Sequence, residues 1–402
     1  MRVGVNLLLL QPGTGGVSNY VLTLLRTWPE IYPDDPLVLF SFPVNEALLA
    51  TLPARARAHE IRLSGQPEIR RHLDAFDVFF CPFGSLYPRP LPKPSLVTLV
   101  DVQERFFPEF FSAQDIANRL YHYDGSLRMA DRVITISEFS KLTLVRVLGL
   151  PEEKIDVIHL CADELPEHAT RPDLPPSWDG TFALYPANDW PHKNHLRLLE
   201  ALALLKDAGD DARCVLTGSR GERFADIMAA RDRLGLGEDV VHLGPVSRAE
   251  IAWLFRNARL LVLPSLFEGF GIPVAEALAS DLPVVCSRTT SLPEVAGPAA
   301  LYFDPCDARD MAAKIRQAWT AEDVRSRLVA AGRERRLLFG PRQLVEQHAA
   351  AFHAAAGSYR TGRHLWQKCI VGPWAALHRQ RLIPARQLAE AQRLLRRDTT
   401  GF

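Results

Sequence analysis

The stretch Leu260-Leu261-Val262-Leu263-Pro264-Ser265-Leu266-Phe267-Glu268-Gly269-Phe270-Gly271-Ile272-Pro273-Val274-Ala275-Glu276-Ala277-Leu278 reads as an apolar strand ending at Ser265, a glycine-bearing turn and a helix. Pro273 suits the first turn of that helix, where the N–H it lacks would have had no intrahelical partner. Amides at Phe270, Gly271 and Ile272 are therefore expected at a helix N-terminus, a ready site for a phosphate oxygen. Glu268 stands in the loop ahead of the helix and Glu276 about one turn inside it. Two carboxylates at different depths can bind two parts of one ligand, such as sugar hydroxyls and ribose hydroxyls. Gly269 and Gly271 let the backbone approach that ligand.

Working outward, short runs rich in Val, Ile, Leu and Phe recur between longer amphipathic segments. They are Arg2 to Leu9, Leu37 to Phe42, Val78 to Cys81, Leu96 to Val100 and Val133 to Ser137, then Phe182 to Pro186, Cys214 to Gly218, Val240 to Gly244, Leu260 to Pro264 and Pro283 to Ser287. Near-continuous apolar strands separated by helices argue for parallel sheets covered on both faces, an α/β fold. A chain of 402 residues is too long for one hydrophobic core. The two series of strands are separated by a proline-rich stretch without periodicity around Glu164 to Pro176. The expected organisation is a first Rossmann-like domain over 1–164, a linker over 165–179, a second Rossmann-like domain over 180–355 and an extension over 356–402. Doubly wound domains joined in this way are expected to face a cleft with the carboxyl ends of their strands, where ligands of such folds bind.

Composition narrows the function classes. Lys plus Arg number 47 and Asp plus Glu 47, which removes a nucleic-acid binder whose whole surface is basic. The six cysteines form no C-x-x-C pair and no zinc-spaced cluster, and read as buried thiols of a reducing, cytoplasmic compartment. The N-terminal apolar run lacks a small-residue cleavage site and reads as a first strand. No stretch approaches the roughly 18 to 20 apolar residues of a membrane span, so membrane contact is expected to be peripheral. From Gly357 to Phe402, nine basic residues face two acidic ones, a formal +7. Trp366, Ile370, Trp374 and Leu377 sit there at helical spacing. This amphipathic element either packs back on a domain with a solvated basic face or touches an anionic membrane surface.

Other loops follow strands in the same way. Trp190-Pro191-His192-Lys193-Asn194-His195 comes after the strand ending at Pro186, and a Lys there can offset charge developing on a leaving diphosphate. Arg220, after the strand ending at Gly218, is a second basic candidate. Gln11 to Tyr20 carries the glycine turn Gly13, Gly15 and Gly16 between a strand and a helix. Asp101, after the strand Leu96 to Val100, can orient an acceptor hydroxyl or cap the next turn. Ser137, followed by Glu138, can N-cap the next helix. There is no Asp-x-Asp pair, G-x-S-x-G or P-loop Lys, so neither metal-held diphosphate nor those other chemistries are indicated.

With Glu268 and Glu276 eight positions apart, the central stretch resembles the E-x7-E motif of the retaining glycosyltransferases of family four, which have the GT-B fold. Thr290 to Gly297, Val241 to Gly244 and the helix from Ser247 to Asn257 continue the resemblance, which covers roughly 1 to 355 and is strongest from Val240 to Pro305. It implies a retaining, metal-independent hexosyltransferase without a cofactor. Glu276 would hold the ribose of a nucleotide-sugar donor, Glu268 the transferred sugar and Lys193 the diphosphate, with Gly15 and Gly16 approaching that diphosphate. Two departures stand out. Ala187-Asn188-Asp189 occupies the stretch where many members carry an Arg, and Val100 stands where a His is common before Asp101. His122 is a candidate substitute for that imidazole, and a surface or packing residue otherwise. Similarity to bacterial mannosyltransferases of surface-polysaccharide assembly points to GDP-mannose as donor and a glycan or lipid-linked saccharide as acceptor. A nucleotide-sugar epimerase of the same fold and a non-catalytic sugar-nucleotide-binding partner are the alternatives. Acceptor-dependent release of nucleotide separates the transferase from both.

Overall fold

The computed structural model describes residues 1–11, 16–162, 165–178, 181–360, 362 and 383–396. It divides into two units, Met1–Cys161 with Gly340–Arg396, and Ala162–Phe339. In the first unit, β1 (Val3–Asn6), β2 (Leu37–Ser41), β3 (Glu60–Arg62), β4 (Val78–Cys81), β5 (Ser95–Thr98), β6 (Arg132–Thr135) and β7 (Ile155–Val157) form a sheet in the order β3-β2-β1-β4-β5-β6-β7. In the second, β8 (Phe182–Pro186), β9 (Arg213–Thr217), β10 (Val240–His242), β11 (Leu260–Leu263), β12 (Val284–Ser287) and β13 (Ala300–Phe303) run β10-β9-β8-β11-β12-β13. Every pairing is parallel, with Val3 opposite both Leu37 and Val78, and Leu261 opposite both Leu184 and Val284.

The central strands are buried on both faces, as VGVN, VFFC, LLVL and VVCS, which is why they carry apolar residues at successive positions rather than alternating ones. Three strands, β3, β7 and β13, escaped the hydrophobic reading. EIR and IDV are short edge segments with a charged residue, where one flank has no neighbour to demand apolar side chains. Helix starts are marked by side chains: Ser247 and Glu250 form a reciprocal capping box, and Asp307 accepts from the amides of Arg309 and Asp310. Cys81, Cys161, Cys214 and Cys286 are buried thiols and Cys306 is an exposed one.

Two boundaries differ from those read in the sequence. Residues 340–355, assigned there to the second domain, belong to the first unit. The helix Pro341–Ser358 buries Leu344, Val345, His348, Ala349, Ala351, Phe352 and Ala355. Phe352 meets the rings of Trp28 and Phe80 at 5.6 and 5.3 Å, so its apolar face completes the core beneath β4 and the helix Gly16–Ile31. The stretch around 165–178, read as a linker, is stitched onto the second unit. Trp178 and Leu174 are buried, Thr170 donates its amide to the Ala249 carbonyl, and the Arg256 guanidinium donates to the carbonyls of Pro166 and Glu167. Its prolines break regular structure but leave carbonyls for a guanidinium to collect. Residues 163, 164, 179 and 180 lie outside the described residues, as do Trp366, Ile370, Trp374 and Leu377. Among the described residues, no helix is long and apolar enough to cross a membrane.

His348 ties this returning helix to the sheet. Its Nδ1 lies 2.7 Å from the Leu344 carbonyl and its Nε2 2.7 Å from the Tyr20 hydroxyl, which also meets Thr98 Oγ1 at 3.2 Å. A carbonyl only accepts, so Nδ1 carries the proton and neutral Nε2 accepts from Tyr20. Burial lowers the imidazole from 6.5 to about 4, outweighing the Leu344 carbonyl and Asp156, which favour the proton. The unfolded chain takes up that proton first, so stability is lost as pH falls from 6.5 toward 4. The loss through this residue amounts to about 3 kcal/mol. Comparing denaturant unfolding of the native chain and His348→Gln at pH 7 and pH 4.5 tests this. The substituted chain is expected to have the shallower pH dependence, and equal slopes would refute the assignment.

Candidate active site

In the second unit the strand order reverses between β8 and β11, which lie side by side although β9 and β10 intervene in sequence. The loops leaving such a pair diverge to opposite faces and open a crevice at the carboxyl edge of the sheet. Lys193 comes from the loop after β8 and Glu268 from the loop after β11. Lys193 Nζ donates to Glu268 Oε1 at 2.6 Å, and both side chains are nearly buried.

The two loops are fixed by different means. Trp190 and Pro191 start a short 3-10 turn, and Asn194 ends it in the left-handed region at φ 62°. The Asn194 amide donates to the carbonyls of Pro264 and Pro305 at 3.0 and 2.8 Å, so one side chain spans the ends of β11 and β13. Tyr185 donates its hydroxyl to the Lys193 carbonyl, and the Leu266 amide donates to the His192 carbonyl at 2.7 Å. These bonds hold the Lys193 backbone against the Glu268 loop.

Glu268 is clamped from three sides. Ser265 Oγ donates to the same Oε1 at 2.6 Å, the Glu268 amide donates to Thr290 Oγ1 at 3.1 Å, and Ser291 Oγ bonds the carbonyls of Glu268 and Phe270 at 2.9 and 3.0 Å. Burial pushes the carboxyl up, but Lys193 and the Ser265 hydroxyl outweigh it and hold it below the usual carboxylate range. Glu268 is thus ionised at neutral pH. His192 and His195 are both lowered to about 3, by burial first and then by Lys193 for His192 and His242 for His195, so both rings are neutral.

Gly271 caps the helix Ile272–Ala279 at φ 99°, and a Cβ there would meet Leu292 Cδ2 at 2.6 Å. The Gly271 carbonyl accepts from the amides of Val274 and Ala275, so the amides of Gly271 and Ile272 lie in the opening turn, ahead of the first carbonyl of the helix. Glu276 is half-buried in the second turn, at the depth the sequence implied. The Phe270 side chain is core, edge-on to Phe339 at 5.5 Å.

Beyond β8, Arg220 follows β9 and lies exposed over the Phe224 ring at 5.1 Å, beside Gly244 at the end of β10. The loop that lacks the expected Arg, Ala187-Asn188-Asp189, instead organises its neighbour. Asn188 Oδ1 accepts from the amide and hydroxyl of Ser219, and Asp189 Oδ2 from the Arg223 amide at 3.0 Å. The structure therefore brings Lys193 and Glu268 together, places Gly271, Ile272, Glu276 and Arg220 around the same edge, and adds Ser265, Thr290, Ser291, Asn194 and Asp189. Those five escaped because each acts through a single hydroxyl, amide or carboxyl on a loop, which has no periodicity. The repeated Thr and Ser just after β12 was the one legible signal.

In the first unit, Gly16 opens the helix Gly16–Ile31, and Gly15 lies outside the described residues. Asp101 Oδ1 accepts from the Gln103 amide at 3.1 Å, the cap alternative, while Ser140 donates to the Val100 carbonyl at 3.0 Å. Ser137 N-caps the helix Glu138–Arg146 and accepts from the Ser140 amide. His122 is exposed on a single π-helical turn, Leu120–Asp124.

Residues 168–335, which contain this edge, match the family model described as glycosyl transferases group 1. The chain is 31% identical over 247 residues to O-antigen chain mannosyltransferase B of Escherichia coli, and 27% identical over 239 residues to O-antigen chain mannosyltransferase RfbU of Salmonella typhimurium. Either match spans 59% of this chain and 64% of the relative. A sucrose-phosphate synthase from Thermosynechococcus elongatus superposes with a TM-score of 0.69 at 19% identity, over 89% of this chain and 100% of that one, and shares the fold. The GT-B class expected from the sequence is borne out by this likeness and by the two all-parallel sheets. The second unit of this chain is thus similar, over residues 168–335, to the family described as glycosyl transferases group 1.

Proposed function

We propose that the chain is a retaining hexosyltransferase that moves mannose from GDP-mannose to a glycan or lipid-linked saccharide in bacterial surface-polysaccharide assembly. The observation that carries this reading is the Lys193–Glu268 pair at the strand-order reversal, beside a helix N-terminus, in the part of the chain that matches the family. The similarity to two O-antigen mannosyltransferases supports mannose and a saccharide acceptor.

The chemistry follows from the charges. Departure of a nucleoside diphosphate leaves negative charge on its oxygens and positive charge on the sugar ring. Amides of Gly271 and Ile272 with Lys193 would take the first, and ionised Glu268 the second. Lys193 is already held in place by Glu268, so little ordering remains to be done when the donor arrives. Glu276, one turn inside the helix, would accept from the ribose hydroxyls, and Arg220 would add a cation at the diphosphate's outer side. Asp101 would orient the acceptor hydroxyl, and the Gly15–Gly16 turn would reach the diphosphate. In this reading the reaction needs no metal or cofactor, and the protein works in the cytoplasm with peripheral membrane contact through 357–402.

A panel of nucleotide sugars tests the donor: GDP-mannose is expected to raise the melting temperature most, because a ligand that binds only the folded state stabilises it. Nucleotide release must then depend on added acceptor, persist in EDTA, and yield an α-linked product by proton NMR. Release without acceptor dependence would sink the transferase reading. Glu276→Ala removes hydrogen bonds to a charged group, about 1.5–3 kcal/mol, and is expected to weaken donor binding roughly ten- to hundredfold. Unchanged donor affinity by calorimetry would refute its ribose role.

A further inference from the structure

The turn that follows β12 breaks two local rules at once. Thr290 is held at φ 52°, in the left-handed region where the Cβ of an L-residue crowds its own backbone and a branched side chain crowds it further. The Leu292 amide donates to the Thr289 carbonyl at 3.2 Å across the turn, and Ser291 follows Thr290 at φ −83°, ψ −11°. A positive and then a negative φ are the signs of a type II′ turn, whose first central position normally goes to glycine. Ser291 occupies the N-cap of the helix Leu292–Ala296, yet its side chain makes no cap bond there. Local turn chemistry accounts for neither residue.

Both hydroxyls are spent on the Glu268 loop instead. Thr290 Oγ1 accepts from the Glu268 amide at 3.1 Å, and Ser291 Oγ bonds the carbonyls of Glu268 and Phe270 at 2.9 and 3.0 Å. Thr290 and Ser291 are both buried. Glycine at 290 would adopt the turn freely but would leave the Glu268 N–H without this acceptor. The two main-chain groups of Glu268 are thus held from one turn, while Lys193 and Ser265 both bind its carboxylate through Oε1. Among the described residues no hydrogen bond reaches Oε2. With Oε1 anchored, the direction of that open oxygen follows from where the Glu268 backbone is held.

We propose that Thr290 is a positioning residue, whose hydroxyl holds the Glu268 backbone so that Oε2 faces the sugar as the diphosphate leaves. Backbone strain of this kind persists only where the surrounding structure over-determines it, and it collects at active sites. The inference deepens the glycosyl-transfer reading and rests on it.

Three substitutions in the full chain separate the hydroxyl from the shape of the side chain. Thr290→Val keeps the branched shape and removes the acceptor, Thr290→Gly removes both the strain and the acceptor, and Thr290→Ser keeps the hydroxyl. GDP release from GDP-mannose, stimulated by methyl α-mannoside as the acceptor probe, gives kcat and KM. The valine and glycine variants are expected to lose about ten- to hundredfold in kcat, as a misplaced group does, at an unchanged KM for GDP-mannose. The serine variant is expected to regain native kcat. A role in packing alone would give the opposite order, with valine the best tolerated of the three. The melting shift given by GDP-mannose is expected in every variant, which shows that each is folded and binds donor. A retained shift with native kcat in Thr290→Val, or with Thr290→Ser as impaired as Thr290→Val, overturns the proposal and leaves the donor reading intact. Absence of both the shift and GDP release in the native chain would instead overturn the reading on which it rests.

Discussion

Lys193→Met is expected to lower kcat/KM for the nucleotide sugar by about two to three orders of magnitude, the range for deleting one preorganised charge partner of a developing anion. The same change is expected to destabilise the fold, because it leaves Glu268 buried without the ammonium 2.6 Å away. Breaking one side of a buried ion pair costs about 3–5 kcal/mol. The two effects separate in the double variant Lys193→Met with Glu268→Gln. An amide there can still accept from Ser265 and keeps no charge, so the melting temperature should recover most of its loss. Turnover should not recover, since the proposed function needs Lys193 as the cation for the diphosphate and Glu268 as the anion for the sugar, and neither is restored. A double variant that regains activity with stability would show that the pair is only structural.

The second large effect is expected at Gly218, where β9 ends against the loop that follows β8. Gly218 has φ 119°, and a Cβ there would lie 2.4 Å from the Ala187 carbonyl oxygen and 2.9 Å from the Asn188 nitrogen. Both obstacles are backbone, and they belong to the stretch whose Asn188 and Asp189 side chains hold the next loop. Gly218→Ala therefore has no flexible side chain to displace. It is expected to cost more than about 3 kcal/mol, through strain at a special φ together with a clash in the core. Gly209→Ala is the control: its φ is 83°, but nothing stands within 4 Å of its Cβ position. That change should cost about 1 kcal/mol, the price of the backbone conformation alone. Equal losses at the two glycines, measured by urea denaturation, would refute the steric account.

The E-x7-E segment shows how far the linear pattern reaches. Its apolar strand, Gly271 cap and Pro273 helix start are local events, decided by residues within a few positions of one another, and the structure reproduces them. The position of Lys193 was readable for the same reason, as a cation just past a strand end. The clamp around Glu268 was not. Ser265 is near in sequence, but Thr290 and Ser291 come from the loop after the next strand, and a hydroxyl in a loop carries no signal of which backbone group it will meet. Asn194 presents the same case, since the two carbonyls it bonds lie some 70 and 111 positions away.

The domain boundaries divide along the same line. Alternation of apolar runs with amphipathic segments was enough to establish two parallel α/β sheets, because burial on both faces imposes composition on each strand by itself. The helix Pro341–Ser358 has an apolar face that would suit either unit, and its own residues do not say which. Tyr20, Trp28 and Phe80 supply the complementary surface, and only the folded first unit assembles them. The sequence by itself determined the fold class, the positions of Lys193, Glu268 and Glu276, and the helix start after Gly271, all of which depend on short-range periodicity and turn chemistry. Tertiary structure alone decided the Lys193–Glu268 contact, the hydroxyl clamp and the return of the C-terminal helices to the first unit, because each depends on which surfaces meet after the strands have found their order.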